Sequence, residues 1–253
     1  MPPEAPAPMP THATDLSVAL FLPARNEERY VGKTVDWALE VLRALTRDFE
    51  IIIVDDASTD RTGALADELA RRHPATVRVI HHPVGRGLGG AIRSGIEAAT
   101  KDLVIYSDMD LPFNLWEIHR AVWLLQRYEA DVLSAYRLDR TTEGIRRIVY
   151  SFAYNLIIRA LFGVAVKDVN FSFKVFRRRI FDQLRIHANG SFIDAEIMVK
   201  ARSAGFKIIQ IGVDYFPRTL GESTLASPSV ILDMIREGAA LYGECQRPAP
   251  RRG

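Results

Sequence analysis

The chain alternates between short, almost wholly apolar runs and longer stretches in which apolar residues recur every three or four positions. Leu16 to Leu22, Glu50 to Val54, Val77 to Ile80 and Leu103 to Tyr106 are of the first kind. Runs that short, without polar alternation, are the pattern of strands buried on both faces. Between them, Tyr30 to Thr46, Arg61 to Arg72 and Ala91 to Ala99 read as helices. Asp60 is a plausible N-cap for the second, with Ser58 and Thr59 as competing candidates. Strand and helix alternate four times by Trp116, which predicts a parallel sheet with helices on both faces. Further on, Leu115 to Tyr128 reads as an amphipathic helix and Ala130 to Ala135 as a strand. After Phe171 to Phe176, a helix from Ser191 to Ala204 and a strand from Lys207 to Val213 fit the same α/β pattern. One domain is expected over residues 16–242. A Pro/Ala-rich leader (1–15) and a short basic tail (243–253) are expected to be disordered.

The most apolar stretch, Ile148 to Val166, has nearly the length of a membrane span, but Asn155 and Arg159 interrupt it. The cost of a charge at the bilayer centre argues against full insertion. It is read as a core helix, with a helix lying in the membrane interface as the rival reading. In that case Arg146, Arg147 and Arg159 would face headgroups while Phe152, Leu156 and Phe162 dip below them.

Composition narrows the setting more than the function. At 253 residues, 48% hydrophobic and 25% charged, the chain is long enough for a sizeable core and ordinary for a soluble α/β domain. The net charge of +2 says little about partners, and no nucleic acid is expected among them. The single cysteine, Cys245, rules out an internal disulfide, so a cytoplasmic, reducing setting is expected.

Candidate chemistry concentrates where strands end. The run Leu103 to Tyr106 empties into Asp108-Met109-Asp110, at the edge where open α/β sheets place their ligands. Alternation along an extended chain would send both carboxylates to one side and Met109 to the other. Two like charges held so close call for a cation or for water. Mg²⁺ or Mn²⁺ suits such hard oxygen ligands, taking one or two carboxylates and leaving the other positions to substrate phosphates, so a metal-held diphosphate is the working hypothesis. Asp55 and Asp56 end another strand and are left over once the following helix is capped. Gly85-Arg86-Gly87-Leu88-Gly89-Gly90 is a literal G-x-G-x-x-G and opens a dinucleotide-binding alternative. Against it, four residues separate the glycines from their strand, and they belong to the third strand–helix unit rather than the first. They are read instead as a loop that admits close backbone approach. Arg137, Arg140, Arg146 and Arg147 cluster after the next strand, either as a solvated face or as the receiver of an anionic second substrate.

The ordered set of these motifs resembles the family-2 inverting glycosyltransferases, and within them the branch of dolichol-phosphate mannosyltransferase and the bacterial polyprenyl-phosphate glycosyltransferases. The residues that carry it are Leu22 to Glu28, Ile53 to Asp60, Gly87-Leu88-Gly89, Asp108 to Leu111, Ser134 to Arg137, Asp168 to Phe173 and Arg218 to Ser223. The resemblance implies a GT-A fold, a sugar nucleotide donor linked through GDP or UDP, a Mg²⁺ or Mn²⁺ cofactor and a polyprenyl-phosphate acceptor. By the same resemblance, Pro23, Arg25 and Glu27 would line the nucleoside pocket and Asp56 would contact the base. Asp108 and Asp110 would serve the metal and diphosphate, and Arg137, Arg147, Ser151 and Arg218 would face the acceptor phosphate. Two departures stand out: Pro112, where relatives often have a polar metal ligand, and Thr224, where many have lysine. Many relatives also carry carboxy-terminal transmembrane helices. None is expected here, so contact with the cytoplasmic face of the membrane would be peripheral. A phosphate acceptor is already ionised near neutral pH and needs no strong base. A glycan or small-molecule hydroxyl acceptor, the alternative, would need one, for which Asp194 and Glu196 are candidates.

Overall fold

The computed structural model describes residues 13–110, 113–139, 145–215, 236–238 and 241. Its centre is a seven-stranded sheet in the order β3-β2-β1-β4-β6-β5-β7. The strands are β1 (Val18–Ala24), β2 (Phe49–Asp55), β3 (Val77–His81), β4 (Leu103–Tyr106), β5 (Val132–Arg137), β6 (Lys174–Arg177) and β7 (Ile208–Val213). All pairings are parallel except those of β6, which runs antiparallel between β4 and β5. The helices are α1 (Val31–Leu45), α2 (Thr62–Arg72), α3 (Gly87–Ala98), α4 (Glu117–Arg127), α5 (Ile145–Phe162) and α6 (Ile193–Ser203).

The apolar runs form the middle of the sheet because both of their faces are covered. On β1, Val18, Leu20 and Leu22 join one buried cluster, while Ala19 and Phe21 join the other. β2 divides likewise, with Ile51 and Ile53 against Ile52 and Val54, and β4 sets Leu103 and Ile105 against Val104 and Tyr106. This period of two on each strand is what places helices on both sides. One cluster takes side chains from α1, α2 and α4, and the other from α3, α5 and α6.

Three readings of the sequence are revised. The glycines from Gly87 onward do not form a loop; they open α3, and only Gly85 and Arg86 precede it. Close approach is nevertheless what they allow, since a Cβ on Gly89 would collide with the backbone of Ala188 and Asn189, whose carbonyl accepts the Gly89 N–H (3.0 Å). The glycine run also does not follow β3 directly, which removes the dinucleotide fingerprint's defining turn. On α5, Phe162 is half-buried and packed against the core instead of facing outward. Ile158 is fully enclosed, whereas Val149, Phe152, Leu156, Ile157 and Leu161 are exposed, so this helix is apolar on both its inner and its outer face.

Candidate functional site

The strand order reverses at β1, with β2 and β3 on one side and β4 on the other. In such sheets the crevice at the carboxyl ends of the diverging strands is the ligand site. Register brings three loops to that edge: Ala24 pairs with Asp55, and Phe21 pairs with Tyr106, two residues before Asp108.

The loops after β1 and β2 are stitched together. Asn26 N–H donates to Ser58 Oγ (3.0 Å), Thr59 N–H to Asn26 Oδ1 (2.8 Å) and Glu27 N–H to Thr62 Oγ1 (2.7 Å). Arg61 N–H donates to Glu28 Oε2 (3.1 Å), and Thr62 N–H to Asp60 Oδ1 (2.9 Å), so Asp60 does serve the start of α2. Asn26 and Ala57 both lie in the left-handed region (φ 57° and 56°), a strained conformation that persists where surrounding bonds over-determine it. Pro23 and Glu27 are half-buried on this surface, and Arg25 is exposed.

Neither Asp55 nor Asp56 is left over. Asp55 accepts from Ser58 N–H (3.1 Å) and faces His81 Nδ1 (3.0 Å), while His81 Nε2 meets Asp67 (3.0 Å). Burial pushes the Asp55 carboxyl up, but hydrogen bonds from Ser58 and His81 outweigh it and hold it below the ordinary value. Hydrogen bonds to Asp67 and Asp55 raise the His81 pKa. The carboxylate's share of stability is therefore present above the unfolded value near 3.8 and lost as pH falls through its lowered pKa. The imidazole's share is full below about 6.5 and lost as pH rises through its raised pKa. Because the His81 side chain is 44% exposed, the effect is expected to be below about 1 kcal/mol. His81→Gln should flatten the decline in unfolding free energy between roughly pH 6.5 and 8, as measured by urea denaturation; an unchanged slope would assign that decline to other groups.

Asp56, buried at 3% exposure, was not expected to cap a helix, yet it receives N–H groups at the start of α3. Its Oδ1 accepts from Arg86 N–H (2.6 Å) and His82 Nδ1 (2.7 Å), and its Oδ2 from Gly87 N–H (2.9 Å) at the start of α3. The Arg25 guanidinium stands 3.7 Å from Oδ2. Sequence reasoning missed His82 and Ser94, which complete a buried chain through His82 Nε2 to Ser94 Oγ (2.9 Å). Two adjacent histidines at a strand end were the available signal.

After β4 the chain turns at Met109 and Asp110 instead of remaining extended. The separation of side chains still holds: Met109 is in the core, and Asp108 and Asp110 stay half-exposed. Thr34 Oγ1–H donates to the Met109 carbonyl (2.7 Å) and ties this turn to α1. The Tyr106 hydroxyl lies 3.4 Å from Asp108 Oδ1. Burial first, then the charges of Asp108, Asp194 and Asp110, push that phenol well above its ordinary value. Among the described residues no group of three or more His, Cys, Asp or Glu side chains is arranged to hold a metal. A half-exposed carboxylate pair nonetheless fits a hard divalent ion whose remaining ligands are phosphate oxygens and water. Leu111 and Pro112 lie outside the described residues.

At the end of β5, Arg137 is not part of a solvated face. Its Nε and Nη2 form a bidentate pair with Asp168 (2.7 and 3.0 Å), with side chains 8% and 3% exposed, and its guanidinium lies over Tyr215 and Phe171. Ser151 is half-buried on the inner side of α5, and its carbonyl accepts from Asn155 Nδ2 (2.8 Å). Arg147 falls in the first turn of α5, outside the side chains described, and Arg140, Arg218 and Thr224 lie outside the described residues. The two candidate bases are both enclosed. Asp194 is paired with Lys174 Nζ (2.6 Å), and Glu196 accepts the N–H groups of His187 and Ala188 and pairs with Lys200.

A mostly parallel sheet with loop-borne carboxylates at its switch point is the arrangement of a GT-A glycosyltransferase. The chain belongs to glycosyl transferase family 2, whose model matches residues 19–185. It is 34% identical over 213 residues to glycosyltransferase AglD of Haloferax volcanii, covering 81% of this chain and 34% of that protein. It is 30% identical to dodecaprenyl-phosphate galacturonate synthase of Rhizobium johnstonii (68% of this chain, 51% of that one). With polyprenol monophosphomannose synthase of Mycolicibacterium smegmatis it shares 29% identity over 71% of each chain. The chain thus spans about a third and about half of the first two relatives' length. Among solved structures, mannosyl-3-phosphoglycerate synthase of Rubrobacter xylanophilus superposes with a TM-score of 0.69 at 19% identity, over 94% of this chain and 77% of that one. Glucosyl-3-phosphoglycerate synthase of Mycobacterium tuberculosis, solved with Mn²⁺ and UDP-glucose, gives 0.67 at 20% identity (92% and 80%). At these identities the two structures bear on the fold.

Proposed function

We propose that this chain transfers a sugar from a UDP- or GDP-linked donor to a polyprenyl phosphate at a membrane surface, with inversion at the anomeric carbon. The observation that carries the reading is α5: it encloses Ile158 on one side, where Ser151 is half-buried, while its outer side presents Val149, Phe152 and Leu156 at 56%, 69% and 55% exposure. A helix of that kind lets a soluble domain meet a lipid-borne phosphate. Two of the relatives are named for dodecaprenyl phosphate and polyprenol, which supports the same acceptor class. Among the described residues no helix is long and apolar enough to cross a membrane.

In this reading Pro23, Arg25 and Glu27 line the nucleoside pocket. Asp56, an acceptor held by three N–H donors, takes a fourth hydrogen bond from a ring N–H, which uracil and guanine carry and cytosine lacks. Asp108 and Asp110 hold the diphosphate through Mg²⁺ or Mn²⁺, which when bound offsets the charge on the departing nucleotide. Arg137, oriented by Asp168, receives the acceptor phosphate together with Arg147, Ser151 and Arg218. That phosphate carries its second charge near neutral pH, so its oxygen attacks the anomeric carbon without a base. The bond to the nucleotide's β-phosphate oxygen breaks with its electron pair leaving on the diphosphate. The enclosure of Asp194 and Glu196 weighs against the hydroxyl-acceptor alternative, which would call on one of them.

The test is incubation with UDP- and GDP-sugars, Mn²⁺ and undecaprenyl phosphate, followed by mass spectrometry of the lipid fraction. A lipid-phosphate sugar is expected; sugar transferred only to soluble acceptors would replace this reading. Binding to liposomes containing anionic lipid is expected as well. The double substitution Phe152→Ser and Leu156→Ser should weaken it by tenfold or more, since each side chain gives up about 1.5–3 kcal/mol of apolar transfer. Unchanged co-sedimentation would remove α5 from the membrane contact. Phe162 is unsuitable for this test because it packs against the core.

A further inference from the structure

We propose that His82 is a positioning residue for nucleoside recognition, acting through Asp56 and not by touching the ligand. The inference rests on the reading that Asp56 meets the base. The residue is 5% exposed, and its ring is gripped at both nitrogens, by Asp56 Oδ1 at 2.7 Å and by Ser94 Oγ at 2.9 Å. Its own N–H donates to the Asp55 carbonyl (2.9 Å), so its backbone is fixed to the end of β2 as well. A carboxylate can only accept, so Nδ1 carries a proton towards Asp56, while Nε2 shares a hydrogen bond with the Ser94 hydroxyl, which can either donate or accept. Ser94 lies two turns into α3, on a face packed against the sheet. The ring therefore cannot swing without breaking a bond to β2 or to α3.

The consequence falls on which oxygen of Asp56 remains available. A carboxylate has about four acceptor positions. His82 and Arg86 N–H occupy both on Oδ1, and Gly87 N–H occupies one on Oδ2. The remaining position is on Oδ2, the oxygen nearest Arg25, whose guanidinium overlies Gly85 at 3.0 Å from where a Cβ would stand. Arg25 is 60% exposed, so this side is open to a ligand. With the His82 bond removed, Oδ1 regains a free position and the carboxylate can rotate, dividing its acceptors between the interior and the pocket. His82 thus keeps one acceptor pointed outward, towards a base that presents an N–H.

The two nitrogens can be tested separately, because an asparagine amide places its NH₂ near Nδ1 and a glutamine amide places its own near Nε2. Calorimetry with UDP and with GDP, each with Mn²⁺, would be run on the wild type, His82→Asn, His82→Gln and Asp56→Ala. His82→Gln is expected to bind whichever nucleotide the wild type prefers about tenfold more weakly, with donor KM raised in proportion and kcat nearly unchanged. His82→Asn, which keeps a donor for Asp56, should restore affinity to within about threefold of wild type. If folded His82→Gln binds like wild type, or if His82→Asn is as weak as His82→Gln, the positioning role is overturned. Should His82→Gln not fold, Ser94→Ala carries the test, with about threefold weaker binding expected and unchanged affinity counting against the proposal. Unchanged affinity in Asp56→Ala would instead overturn the underlying assignment of Asp56.

Discussion

Asp110→Asn is expected to lower turnover by about 10²–10³-fold, the loss typical of removing one group aimed at charge that develops in a transition state. The substitution keeps the shape of the side chain and the turn after β4, and the tie from Thr34 to the Met109 carbonyl involves only the backbone. The fold should therefore survive, as circular dichroism would report. What is lost is half of the negative charge that draws a divalent cation to this edge. Stimulation of nucleotide diphosphate binding by Mn²⁺ should disappear in the variant and persist in the wild type. The wild type itself should lose activity in EDTA and regain it on adding Mg²⁺ or Mn²⁺. Turnover within about tenfold of wild type, a difference of 1.4 kcal/mol in the barrier, would show that Asp110 does not hold the diphosphate through a metal.

How much of this was legible in the sequence depends on the range over which each feature is encoded. The four early strands are near-continuous apolar runs flanked by polar turns, and local composition suffices to find them; β2 is only one residue longer at each end than expected. The carboxylates that follow β2 and β4 were placed at the right edge for the same reason. The direction of β6 was not legible, because nothing local to Lys174–Arg177 states that it runs antiparallel between β4 and β5. The inner and outer faces of α5 were equally hidden, since apolar residues occupy both and periodicity cannot divide them. The partnership of Asp56 with His82 and α3 spans 26 residues or more and arises only once β2, β3 and α3 have been packed together. For Arg137 the neighbouring arginines leave two readings open, a solvated face or a receiver of an anionic substrate, and local sequence does not choose between them. The arginine's bidentate partner, Asp168, lies 31 residues away across the fold.

Lys174 is the least expected side chain in the molecule, and it carries the other large prediction. It sits on β6 within the apolar stretch Phe171 to Phe176, paired with Tyr106 of β4, and is fully enclosed. Its ammonium donates to the Phe171 carbonyl (2.5 Å) and to Asp194 Oδ1 (2.6 Å), and it lies 5.7 Å from the centre of the Tyr106 ring. Burial raises the Asp194 pKa, and Lys174 opposes that rise. Lys174→Met removes the compensation and leaves a buried carboxyl alone, which should cost about 3–5 kcal/mol. For a chain of this length, that is a fall in Tm of roughly 10 °C. The sign with pH follows from the direction of the shift. A carboxyl whose folded pKa is raised takes up a proton on folding, so the penalty relative to wild type should shrink as pH is lowered through that raised value and be largest above it. Lys174→Met combined with Asp194→Leu should recover most of the loss, because an apolar pair of similar volume can replace a buried ion pair at little cost. That double variant also separates stability from chemistry. Tyr106, which the lysine backs, reaches Asp108 at 3.4 Å, so a well-folded double variant with reduced turnover would place the pair in support of the diphosphate site. Unfolding measured by calorimetry at pH 5 and pH 8 decides the first part; if Lys174→Met were as stable as wild type at pH 8, the ion pair would not be holding β6 to α6.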